Sequence, residues 1–135
     1  MHSSKHISSL HNPLIKRFLL LKEKSRERKK TGLFVLEGMR ELQIANRTNY
    51  EIDTIFYCAD ILNDVQNNRF LKSFNTEKLI SVSNEVYKKL AYRDTTEGVL
   101  AIAKSKDHFL SSLKFSHKSP LVLIAEAPEK PGNIG

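Results

Sequence analysis

LFVLEGMRELQIANRTNYEIDTIFYC, residues 33–58, contains the fold in outline. Leu33 to Leu36 is a short apolar run, Glu37-Gly38 interrupts it, and Met39 to Asn46 sets apolar residues at helical spacing among charged ones. Thr54 to Cys58 is a second apolar run, enriched in the β-branched and aromatic side chains that suit a pleated, half-buried surface. The reading is strand, helix, strand. The rhythm continues with a helix over Ala59 to Phe74, a strand over Lys78 to Val82, a helix over Asn84 to Tyr92 and a strand over Val99 to Ala103. Ser83 or Asn84 can cap the last helix, whose Val86, Tyr87 and Leu90 fit one face. This order predicts an α/β layered domain with a largely parallel sheet.

Upstream, Asn12-Pro13 is a helix start: Asn12 can accept from an orphan amide, and Pro13 at the first helical position has no N–H to leave unpaired. Leu14, Ile15, Phe18, Leu19 and Leu21 then form an apolar stripe that must pack on something. Residues 22–30, KEKSRERKK, hold no apolar side chain and end before Gly32, so they read either as a solvated helix end or as a mobile arm. The hydrophobic half is expected to dock and the charged half to project. Downstream, residues 104–119 are rich in Ser, Lys and His and read as a linker that partly packs through Phe109, Leu110, Leu113 and Phe115. Leu121 to Ala125 reads as a buried strand, and the Gly-containing loop after it normally feeds a further element, so the chain reads as part of a longer one. The expected division is a basic helix or arm over 1–30, a body over 31–106, a linker over 107–119, and a strand and loop over 120–135.

Charge follows the same division. The chain has 135 residues and a formal charge of +7, and residues 1–30 hold nine Lys or Arg against two Glu, whereas the remainder holds thirteen of each sign. A neutral body behind a basic arm suits a polyanionic partner, nucleic acid or an anionic membrane surface. The membrane is disfavoured because the apolar stripe and the basic block are consecutive instead of sharing one helix on opposite faces. The cations that would grip phosphate are Lys16, Arg17, Lys22, Lys24, Arg26, Arg28, Lys29 and Lys30, with Arg40 at the strand-to-helix turn; solvated surface charge is the plainer alternative.

Other chemistries find no purchase. No apolar run approaches the roughly 20 residues of a membrane span, and the N-terminus lacks a secretory pattern, so a cytoplasmic location is expected. The single Cys58 lies in an apolar run and reads as core. The five histidines have no partners at metal-ligand spacing, so no metal is expected. Residues 128–135 lack the Gly-Lys-Ser/Thr ending of a P-loop and the spacing of a dinucleotide fingerprint. Glu37 and Glu41 suit a helix N-terminus, and Gly38 suits a tight turn.

Four segments in order resemble the SpoU/TrmH family of RNA ribose 2′-O-methyltransferases. They are Ile7-Ser8-Ser9 with Asn12-Pro13-Leu14-Ile15-Lys16, Phe34 to Leu42 with its Glu37-Gly38-Met39-Arg40 turn, Thr96-Glu97-Gly98-Val99-Leu100-Ala101, and Leu121 to Gly135. In the third, Thr96-Glu97 stands where the family has Pro-Gln; in the fourth, Pro131-Gly132-Asn133-Ile134-Gly135 stands where it often has D-P-x-N-x-G. The resemblance implies a three-layer α/β/α sandwich like that of some RNA-binding ribosomal proteins, which recruits tRNA or rRNA. It further implies a following knotted domain that binds S-adenosylmethionine and forms a homodimer, of which residues 120–135 would be the first strand and loop. Asn133 matches a catalytic-motif asparagine, while the cofactor-binding residues would lie outside this chain, leaving it inactive alone. A stand-alone RNA-binding module of ribosomal-protein type is the alternative.

Overall fold

The computed structural model describes residues 5–62, 65–92 and 97–126. Strand β1 (Lys5–Ile7) leads into α1 (Pro13–Glu23) and α2 (Ser25–Thr31), followed by β2 (Leu33–Glu37), α3 (Met39–Arg47) and β3 (Ile52–Tyr57). Then come α4 (Val65–Leu71), β4 (Leu79–Val82), α5 (Asn84–Leu90) and β5 (Val99–Lys104). The five strands make one sheet in the order β1-β4-β3-β5-β2.

The sheet is mixed, which corrects the expectation of a largely parallel one: β4 runs parallel to β1 and β3, but β5 runs antiparallel to both β3 and β2. The cause lies where β5 begins. Cys58 N–H donates to Gly98 O at 2.9 Å and Gly38 N–H to Val99 O at 3.0 Å, so β5 enters at the C-terminal ends of both neighbours and must run back between them. Gly98 makes that entry possible. Its φ is +78°, and a Cβ there would lie 3.0 Å from Leu62 N and 3.2 Å from Cys58 O, so the position needs both a left-handed backbone and no side chain.

Alternation along β5 divides the core. Leu100 and Ile102 pack on one face with Ile15, Phe18 and Leu21 of α1, Val86, Tyr87 and Leu90 of α5, and the buried Cys58. Val99, Ala101 and Ala103 pack on the other with Met39, Leu42 and Ala45 of α3 and Leu71 of α4. The result is the expected three-layer α/β/α sandwich. Phe18 meets Phe56 edge-to-face across the first interface, with centroids 5.6 Å apart. In β3 the register shifts between Ile52 and Thr54, leaving Asp53 as the extra residue of a bulge; Ile52 and Ile55 thereby join the same core cluster.

Residues 1–30 were expected to precede the body, yet their described part supplies it: β1 pairs with β4, and Ile7, Ile15, Phe18 and Leu21 are buried in its core. Three further expectations change. The helix read over Ala59 to Phe74 is shorter, α4 beginning only at Val65. Phe109, Leu110, Leu113 and Phe115 do not pack but stand 55–86% exposed. Leu121–Ile124 is neither strand nor buried. Composition favours a strand there, but a strand exists only through a pairing partner, and no described residue offers one.

Candidate nucleic-acid interface

The basic run does not form one helix. α1 ends at Glu23, Lys24 is extended, and α2 starts at Ser25 and closes on Gly32. Arg28 folds α2 back on α1: its Nη1 donates to the carbonyl oxygens of Leu21 and Lys22 at 2.8 and 3.1 Å, satisfying acceptors that a helix end leaves unpaired. Lys22 does the same for α5, its Nζ donating to Leu90 O at 2.9 Å and Ala91 O at 3.1 Å. Arg17 Nη1 reaches the bulge carboxylate of Asp53 at 3.5 Å. These three cations, proposed from the sequence as phosphate contacts, are engaged within the fold.

The remainder are not. Lys16, Lys24, Arg26, Lys29, Lys30 and Arg40 are exposed, and their side chains make no hydrogen bond or ion pair with any described residue. Five of the six lie on α1, α2 and the break between them, and Arg40 lies on the first turn of α3. That turn is built by Gly38, whose φ of +108° turns the chain out of β2, and by Glu97, whose Oε2 accepts from Met39 N–H at 2.6 Å. The carboxylate takes the capping role that glycine's missing side chain leaves open. Glu97 stands where the family pattern has Gln, an acceptor of the same length.

One feature escaped the sequence reading because it depends on tertiary contacts. Tyr92, read only as the end of a helix, is 81% exposed. Its backbone N–H donates to Glu37 Oε2 at 2.7 Å, and the Lys22 ammonium lies 5.5 Å from its ring centroid. Contacts thus run from the end of α1 through Tyr92 to the Glu37 end of β2, three residues from Arg40.

Among the described residues no group of three or more His, Cys, Asp or Glu could hold an ion. A cavity of about 260 Å³ between β2 and α3 is lined mainly by Phe34, Leu36, Ile44 and Tyr50, with Glu41 as its one charged group. It is smaller than the roughly 300–1,000 Å³ of cofactor sites and lacks their convergent polar groups. Asn133 and the rest of the Pro131 to Gly135 segment lie outside the described residues. No described helix is long and apolar enough to cross a membrane.

Solved structures of RNA methyltransferases are similar to this chain. A crystal structure of an RNA 2′-O ribose methyltransferase is 30% identical, with a TM-score of 0.74 over 96% of this chain and 48% of its own. The rRNA methyltransferase from Sinorhizobium meliloti is 21% identical, with a TM-score of 0.62 over 76% of this chain and 37% of its own. The SpoU methyltransferase AviRb from Streptomyces viridochromogenes, solved with AdoMet, is 17% identical, with a TM-score of 0.61 over 74% of this chain and 36% of its own. This chain therefore spans half or less of the proteins it resembles. No curated protein matches it. A family model for the MRM3-like substrate binding domain matches residues 12–101, from the Asn12 cap of α1 to the middle of β5. With α1, most of the sheet and the Gly38 and Gly98 turns inside that span, the chain belongs to the MRM3-like substrate-binding domain family.

Proposed function

We propose that the chain recruits RNA, tRNA or rRNA, for an S-adenosylmethionine-dependent ribose 2′-O-methyltransferase of which it is one domain. The observation that carries this reading is the 30% identity to an RNA 2′-O ribose methyltransferase along 96% of the chain. The six exposed cations support it, since phosphate contacts fix an RNA in register while leaving the methyl transfer to other groups. In this reading the methyl donor, the group that handles the 2′-hydroxyl and the homodimer contacts belong to a further domain.

Binding of the chain to single-stranded RNA, measured by fluorescence anisotropy across a salt series, tests it. Engagement of all six cations gives a log–log slope of about −4. Absence of binding, or affinity indifferent to salt, rejects the proposal. Incubated with RNA and labelled S-adenosylmethionine, the chain alone transfers no methyl group; transfer would show that the catalytic groups are already present.

A further inference from the structure

We infer that Tyr92 is a stacking platform for one unpaired RNA base beside the cationic surface of α1 and α2. The inference rests on the RNA-binding reading above and names the part of the RNA that this surface takes. Tyr92 is the most exposed aromatic side chain among the described residues, at 81%. At that exposure the ring buries little area, so core packing does not explain it.

Its stem, by contrast, is fixed through both polar groups of the Ala91–Tyr92 peptide unit. Tyr92 N–H donates to the Glu37 carboxylate at 2.7 Å, and Ala91 O accepts from Lys22 Nζ at 3.1 Å. The backbone is therefore held by β2 on one side and α1 on the other while the ring projects. A ring displayed on a fixed stem loses little freedom when a base settles on it, which is the economy of a preorganised contact.

The surroundings select the ligand. Lys22 Nζ, 5.5 Å from the ring centroid, keeps a positive charge at the ring. Lys24 and Arg26 follow two and four residues later with unpaired, exposed side chains. An aromatic face with the Lys22 ammonium beside it, on a helix that continues into a basic run, suits the two parts of a single-stranded nucleotide, a π-surface and a phosphate. In a duplex the bases are already stacked on one another, so the ring discriminates for unpaired RNA and is tolerant of which base it meets.

The experiment compares wild-type chain, Tyr92→Ala and Tyr92→Phe in binding a single-stranded RNA carrying 2-aminopurine and a blunt RNA duplex, each across a salt series. Tyr92→Ala should weaken single-strand binding roughly 5- to 100-fold and abolish the quenching of 2-aminopurine, with the salt slope and duplex affinity unchanged. Tyr92→Phe, which keeps the ring, should bind like wild type. If the wild type binds with a steep salt slope and Tyr92→Ala binds equally well, the platform is overturned and the RNA-binding reading stands. If Tyr92→Ala weakens both RNAs alike, or Tyr92→Phe is as weak as Tyr92→Ala, the ring does not act by stacking on an unpaired base. If the wild type does not bind RNA, both readings fall. Because the ring is exposed, all three proteins should melt together, and a lowered melting temperature in Tyr92→Ala would assign the residue to the fold instead.

Discussion

Lys22 Nζ donates to the carbonyl oxygens of Leu90 and Ala91, joining the end of α1 to the end of α5 across 68 and 69 positions of sequence. The lysine that opens the basic run is thus a C-cap, and the run divides into residues that hold the protein and residues available to a ligand.

Lys22→Met and Arg26→Ala should consequently separate. Removing the Lys22 ammonium leaves two half-buried carbonyls without their donor and should cost about 1–2 kcal/mol in urea denaturation. Arg26→Ala should leave stability within about 0.5 kcal/mol and lower RNA affinity instead. Equal stability losses would contradict the division.

The same logic applies to charge reversal. Arg26→Glu with Lys30→Glu should weaken RNA binding severalfold at low salt while the protein stays folded by circular dichroism. Arg28→Ala should instead destabilise by about 1–2 kcal/mol, because its guanidinium holds Leu21 O and Lys22 O at the end of α1.

Phe18→Ala should cost about 3–5 kcal/mol by urea denaturation, since the ring is fully buried and stacked edge-on against Phe56. Deleting residues 1–23 as though they were an appendage should yield a chain without cooperative unfolding.

Gly98→Ala should destabilise by about 2 kcal/mol or more, combining a left-handed backbone with contacts of 3.0 and 3.2 Å to Leu62 N and Cys58 O. Glu97→Ala should cost about 0.5–2 kcal/mol through the lost cap on Met39 N–H, and Glu97→Gln should restore part of it. Thermal melts of the three variants check both.

Much of the sandwich was legible in local pattern. The apolar runs at Leu33, Thr54, Lys78 and Val99 all became strands, Asn12 and Ser83 are the caps of α1 and α5, and Cys58 is core. Strand direction was not legible, because an apolar run reads the same both ways and the direction of β5 follows from where the chain enters the sheet, at Gly98 beside the C-terminal ends of β2 and β3. β1 was missed because three residues, of which only Ile7 is buried, leave almost no periodicity to detect. In the candidate site, the cationic residues were visible as a cluster, but the separation of Arg17, Lys22 and Arg28 from the exposed six depends on carbonyls and a carboxylate brought in from elsewhere in the fold. The exposed run at Leu121–Ile124 shows the converse limit: apolar composition states a preference for pairing and cannot supply the partner.

The placement of β5 also sets a timetable. It is the last strand in the described chain, yet it lies between β3 and β2 and is β2's only neighbour in the sheet. As the chain leaves the ribosome at roughly 5–20 residues per second, β2 emerges several seconds before the strand that will bind it, with Phe34, Val35 and Leu36 uncovered in the interval. A chain ending upstream of Val99 would lack β2's sheet neighbour and carry that strand as an unpaired edge, the kind of edge that pairs with another chain.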